Sequence, residues 1–319
     1  MLRFVIRRVL YGAVVVWIIS VIVFVLFFVA PSNVARNLAG RQASLQTVQL
    51  IREDLGLDRP LLEQYGSFLW GLLHGDLGYS YYSDEPVLGK ILEALPITLS
   101  LALGAAVIWL VLGVGIGILS ALRPRTIADR AATTFALLFY SMPTFLLGLI
   151  LLYFLFYQLH LAGIDWFPAA TYVPFTEDPA EWARHLILPW ITLALVLTGT
   201  YIRLTRGSML DALGEDFIRT ARAKGLTERR VTIRHGLRSG ITPVITQFGI
   251  DFGTLIGGVL ITEQVFGLQG LGYLAVVAVV QGDLPVVIGV VLFASLFTVA
   301  ANTAVDFTYA MLDPRVRLA

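Results

Sequence analysis

The chain of 319 residues has no cysteine, which excludes thiol catalysis, iron–sulfur ligation and disulfides. Charge is scarce as well. Asp, Glu, Lys and Arg make up 14% of the residues, against roughly 25% in soluble domains, while 57% are hydrophobic. Mean hydropathy is +0.79, a composition that belongs in lipid. A formal net charge of +1 and a pI near 8.0 give no reason to expect nucleic acid. No G-x-x-x-x-G-K-S/T phosphate loop is present, so ATP hydrolysis is not expected of this chain. H-E-x-x-H and G-x-S-x-G are absent, and His74, His160, His185 and His235 are scattered. A zinc site or a serine-hydrolase centre is therefore not expected, and neither is a bound cofactor.

What the chain has is long apolar runs. Val9–Val29, Ile97–Leu122, Ala131–Tyr157, Leu186–Ile202, Ser239–Thr262 and Leu284–Val305 hold 21, 26, 27, 17, 24 and 22 residues. About 20 residues cross the hydrocarbon core as a helix, so six transmembrane helices are predicted, the fourth only just long enough. The expected class is an all-α integral membrane protein. A β-barrel is excluded because barrel strands alternate, whereas these runs are continuously apolar. Arg3, Arg7 and Arg8 precede the first run as in a signal peptide, but that run is too long, and residues 1–30 read as a retained anchor helix.

Orientation follows from Lys and Arg. One side collects three in the N-terminus, three in 123–130, nine in 203–238 and two in the C-terminal tail; the other has five in 31–96 and one, Arg184, in 158–185. That imbalance predicts both termini in the cytoplasm. On the other side, 31–96 reads as a small helical lobe. Ser44 suits the cap of a first helix to about Asp54, with Gly56 as its stop. Asp58 suits the cap of a second, with Pro60 in its first turn and Leu61, Leu62, Tyr65, Phe68, Leu69 and Leu72 as an apolar stripe. Residues 97–319 form the remaining five-helix core.

The loop 203–238 carries nine Arg/Lys against four Asp/Glu. Composition predicts one helix over about Ser208–Lys224, a stop at Gly225, and a second helix from the cap Thr227 through Arg238, with Glu228 near its positive end. Two short helices would meet at a glycine corner. On composition alone, such a loop either docks a partner or enforces topology and binds anionic headgroups.

Inside that loop, Ala221-Arg222-Ala223-Lys224-Gly225 resembles the cytoplasmic EAA loop of bacterial ABC-importer permeases. The resemblance extends along the chain through LGLDRPLLEQY (55–65), GDLGYS (75–80), SMPTF (141–145), LPWITLAL (188–195), ITEQVFGLQGLG (261–272) and VDFTYAMLDPRVR (305–317). Their order and spacing are similar to the B-type permeases of the dipeptide, oligopeptide and nickel ABC importers. It implies a type I importer permease in a bacterial inner membrane. It implies an ATPase-docking loop of Glu215, Asp216, Arg219, Thr220, Ala221, Arg222, Ala223, Lys224, Gly225, Leu226 and His235. It implies a second homologous permease, two cytoplasmic ATPases that hold ATP and Mg, and an extracytoplasmic binding protein. Substrates within its range are dipeptides, longer peptides, nickel chelates and glutathione. The chain departs from the pattern at Ala30-Pro31-Ser32-Asn33, at Gln269 and at Asp251.

Asp251 interrupts an apolar span. A carboxylate at mid-helix costs about 2.5–3.5 kcal/mol on insertion scales, which some twenty apolar neighbours offset. The acid must then face protein or water. With Gln247 one turn earlier, it either lines a translocation path or is a structurally paired buried acid. A second function class, an ion- or proton-coupled transporter using Asp251, lacks the two related halves such proteins often show. An intramembrane enzyme lacks a nucleophile and base that can be paired. Asp306, Tyr309, Asp313 and Arg315 are expected to anchor the last helix, and Pro143 to kink the third.

Overall fold

The computed structural model describes residues 2–29, 44–54, 58–168 and 171–312. Gly56, Asp313, Arg315 and the 31–33 element lie outside them, as do the side chains of Asp306 and Tyr309. The described residues are helical, with a single isolated bridge, Tyr79 to Pro86. The helices are α1 (Leu2–Phe24, continued as a π-wound turn Val25–Val29), α2 (Leu45–Asp54), α3 (Leu61–Leu73), α4 (Val87–Leu122), α5 (Ile127–Tyr140) and α6 (Thr144–Leu151). After α6, π-wound Leu152–Gln158 and a last turn, Leu159–Leu161, extend the same span. Then come α7 (Pro179–Gly214), α8 (Asp216–Ala223) and α9, which is α-helical at Glu228–Arg230 and Leu237–Gly240 and π-wound between them. The last are α10 (Thr242–Gly258), α11 (Leu260–Phe266), α12 (Leu271–Gln281) and α13 (Leu284–Leu312).

Among the described residues, five helices are long and apolar enough to cross a membrane, and the pair α11–α12, bent by 85°, makes a sixth if counted as one span. The fifth apolar run is divided between α10 and α11 by a single turn residue, Val259.

The chain forms two compact units, 1–96 with 270–303, and 97–269 with 304–319. In the first unit, α3 lies against α1. Tyr65 shares a hydrogen bond with Ser20 at 2.9 Å and meets Phe24 edge-on, and Phe68 and Leu72 pack on Val23, Ile288 and Leu292. Leu61 and Leu62 are instead exposed, and the rest of the predicted stripe is half-buried. The expected cap is also displaced. Pro60 itself occupies the N-cap, extended at ψ 142°, and its carbonyl accepts from Glu63 and Gln64, leaving Asp58 two residues outside the helix.

The buried Asp283 fixes the 75–80 segment within this unit: its carboxylate accepts from Ser80 Oγ at 2.5 Å and from the Tyr81 N–H at 3.0 Å. Burial, then the nearby Asp283 charge, push the Tyr81 hydroxyl up to about 12.

The second unit is built on α4 and α7. Trp109, Tyr201, Leu101, Leu186 and Ala194 are buried at its centre. The helices approach closely because glycines of α4 face α7. A Cβ on Gly113 would lie 2.4 Å from Tyr201 Cβ, and one on Gly117 2.6 Å from Thr205 Cβ. In lipid, where helices gain little from burial alone, such close approach is what holds them together.

Several helices outrun their apolar runs, α4 and α7 furthest. α4 begins ten residues before Ile97, with Pro96 inside it, and α7 runs on to Gly214, far past Ile202. The fourth span is therefore not marginal. α7 starts at Asp178, whose side chain accepts from the N–H groups of Ala180 and Glu181, with Pro179 in the first turn. Pro143 does more than kink the third span: α5 ends at Tyr140 and α6 restarts at Thr144.

Candidate docking corner and intramembrane site

The predicted corner is present, with a different beginning. Ser208–Gly214 closes α7, and the single docking helix expected from Ser208 to Lys224 is interrupted at Glu215, which is extended at ψ 152°. α8 then runs from Asp216 to Ala223 and stops at Gly225, φ +75°. The Gly225 N–H bonds to Arg222 O at 2.9 Å and the Leu226 N–H to Ala221 O at 3.4 Å. This paired pattern around a left-handed glycine is a Schellman stop, and Leu226 supplies its apolar contact. Ile218, Ala221 and Val231 are buried together under Leu213 and Leu226. Ala221 is thus small in order to close the corner on itself, whereas Ala223 and Gly225 stand exposed.

Thr227 occupies the N-cap position of α9 without a side-chain capping bond. Glu228 turns instead to Arg222, which grips it with Nε–Oε1 at 2.8 Å and Nη2–Oε2 at 3.3 Å. Both side chains are largely exposed, and exposed pairs contribute about 0–1 kcal/mol. The glycine stop and the apolar cluster, not this ion pair, set the angle. α9 returns onto the end of α7 through Gly236 and Gly240, whose faces meet Leu213 and Met209. Glu215, Asp216, Arg219, Thr220, Arg222, Ala223, Lys224 and Gly225 are all exposed on the corner; His235 and Leu226 are half-buried.

In the same unit, α10 brings Gln247 and Asp251 together as their spacing predicted. Gln247 Nε2 donates to Asp251 Oδ1 at 2.9 Å. The second carboxylate oxygen accepts from Tyr201 Oη at 3.0 Å. Tyr201, on α7, was not singled out in the sequence: its contact is 50 residues away, and at the end of an apolar run it carries no local signal. Trp109 and Phe248 flank it, with Trp109 6.1 Å from the Tyr201 ring and 6.0 Å from Phe248. Beside this group an apolar cleft opens between α4 and α10, lined by Val111, Val114, Gly115, Ile241, Val244 and Phe248.

A second acid was also missed. Glu263, in α11, is fully buried and accepts from Thr98 Oγ1 at 2.6 Å across 165 residues. Among the described residues no cluster of three or more His, Cys, Asp or Glu is placed to hold a metal ion.

The chain matches two family models. Residues 113–318 match the binding-protein-dependent transport system inner membrane component, and residues 1–102 match the N-terminal part of such membrane components. It is 41% identical over 317 residues to a Brucella abortus (strain 2308) protein named as a peptide transport system permease, covering 99% of each chain. It is 37% identical over 317 residues to the glutathione transport system permease protein GsiC of Escherichia coli K12, again covering 99% of each. In fold it is similar to an amino acid ABC transporter solved with histidines, at TM-score 0.52 and 16% identity over 70% of this chain and 94% of that one. The chain belongs to the family of binding-protein-dependent transport system inner membrane components.

Proposed function

We propose that this chain is the permease subunit of an ATP-driven importer for small peptides or similar small solutes. It works with a second permease, two ATPases that carry ATP and Mg, and an extracytoplasmic binding protein. The observation that supports this best is the corner at the end of α7: a preformed, mostly exposed helical elbow whose angle is fixed by its own core. ATPase closure presses on the elbow and moves α7, which switches the spans between outward and inward access. The chain itself does no covalent chemistry. Proteoliposomes holding the whole complex test the reading: uptake requires ATP inside the ATPase compartment and persists when the proton gradient is collapsed. Uptake that follows the proton gradient without ATP would point to Asp251-coupled secondary transport instead.

In this reading both termini and the elbow face the cytoplasm. The lack of native cysteine makes the check simple. Arg229→Cys is expected to react with impermeant thiol reagents from the cytoplasmic side alone, and Asp178→Cys from outside alone. The reverse pattern would invert the topology.

Asp251 and Gln247 line the path in this reading. Tyr201 and Gln247 are neutral donors that orient the carboxylate. Asp251→Asn keeps both bonds available, since Gln247 can turn its amide to accept. The melting temperature of the complex should hold, and uptake of cationic peptides should fall more than that of neutral ones. Removing one partner of a structural buried pair costs about 3–5 kcal/mol, so unchanged uptake with a lowered melting temperature would assign Asp251 to the scaffold instead.

A further inference from the structure

α5 and α7 run antiparallel, and two of their contacts lie seven residues apart on each helix. At the first, Gly199 lies against Ala136 so closely that a Cβ on it would sit 2.4 Å from the Ala136 carbonyl oxygen. That contact is steric and has no directional bond. At the second, nearer the corner by about 10 Å of helix, Asp129 receives the fork of Arg206, Nε to Oδ1 at 2.6 Å and Nη2 to Oδ2 at 3.0 Å. Ser120, on the last turn of α4, also donates to this carboxylate, and so does the Arg125 N–H at 2.8 Å. Arg125 adopts φ +65°, a left-handed conformation that is uncommon outside glycine, asparagine and aspartate. Asp129 is 4% exposed and joins α4, the 123–126 turn, α5 and α7 at one point.

Nothing in the docking reading needs such a junction. Its place on α7 gives it a use: Arg206 is five residues from Tyr201, which holds Asp251, and eight from Gly214, where the corner begins. We propose that the Arg206–Asp129 pair is the positioning pivot for transport, the fixed point about which a push on the corner becomes a rotation of α7 and a displacement of the Tyr201–Asp251 contact. This rests on the reading of the corner as the ATPase dock. A planar fork on a carboxylate suits a pivot because it fixes direction as well as distance. The Arg206 fork first, then Ser120 and the Arg125 N–H, hold the Asp129 carboxyl well below the usual carboxylate range. Its folded value is lowered, so the stabilisation is present at neutral pH and is lost only as pH falls below that range.

The test uses the intact complex in proteoliposomes, with ATP hydrolysis and peptide uptake measured on the same vesicles. Asp129→Asn is expected to lower peptide taken up per ATP about tenfold, within the usual range for coupling between sites, with hydrolysis retained. Arg206→Lys keeps the charge, loses the fork, and should lower the same ratio. A purely structural ion pair would change yield and melting temperature and leave the ratio alone. An unchanged ratio in an assembled Asp129→Asn complex overturns the pivot. If that variant does not assemble, Arg206→Lys decides, and a wild-type ratio there overturns it. Wild-type vesicles that take up nothing on ATP would overturn the permease reading itself, a different failure.

Discussion

Replacing Gly225 with valine is expected to abolish uptake while the chain still inserts and its spans still form. Gly225 holds φ +75°, and nothing lies within 4 Å of the Cβ it lacks. Backbone strain, not a clash, is therefore the whole cost. For an ordinary residue the left-handed region costs about 1–2 kcal/mol, and a β-branched residue is a marked outlier there. That strain falls on the Schellman stop itself; the exposed Arg222–Glu228 pair offsets at most about 1 kcal/mol of it, which leaves the small cluster under the corner to resist its opening. The elbow would then lose its angle and the cluster under it. Asparagine, which tolerates the left-handed region, separates strain from surface loss: Gly225→Asn should retain much of the uptake. Wild-type uptake and ATPase association in Gly225→Val would show that the angle does not matter.

A larger structural effect is expected at Gly199. Its missing Cβ would meet backbone, 2.4 Å from Ala136 O and 3.2 Å from Ala136 C, so no rotamer change relieves the overlap. Overpacking of this kind typically costs about 1–3 kcal/mol, and backbone contacts lie at the upper end. Gly199→Ala should lower the yield and melting temperature of the solubilised protein, and Gly199→Leu should prevent its recovery. Gly207, on the same helix, has nothing within 4 Å of its would-be Cβ. There alanine should be neutral or stabilising by up to about 1 kcal/mol, the intrinsic advantage of alanine over glycine in a helix. The same change at two positions of α7 thus has opposite signs. Equal melting curves for the two variants would refute the close-contact argument.

The spans were legible because lipid demands unbroken apolar runs, and the corner because its signals are local: a basic loop, a glycine stop and small residues at alternate positions before it. Helix ends were not. Hydropathy marks where a helix meets lipid, and the charge-bearing segments Val87–Pro96 and Arg203–Gly214 are helical beyond the uncharged runs. Asp58 looked like a cap, yet Pro60 with its extended backbone took that place. The buried acids were invisible for another reason. Asp129 finds Arg206 77 residues away, Glu263 finds Thr98 165 away, and Asp283 finds Ser80 203 away. No window along the chain contains both partners. Asp251 stood out only because it broke an apolar run, and Tyr201 beside it did not.

The length of α7 bears on which neighbour the basic corner meets. From Ile202, the last apolar residue of its run, to Gly214 the helix continues for twelve residues, about 18 Å along its axis. Headgroups extend roughly 5–8 Å beyond the hydrocarbon on each side of a bilayer. The attraction of anionic lipids fades over a Debye length of about 8 Å at physiological salt. In the proposed topology, with α7 along the bilayer normal, Arg203 and Arg206 sit within that field, whereas Arg219, Arg222 and Lys224, beyond Gly214, are carried past most of it. Salt that strips basic segments from lipid surfaces should barely disturb the elbow, and its positive charges remain available to a soluble protein that never touches the membrane.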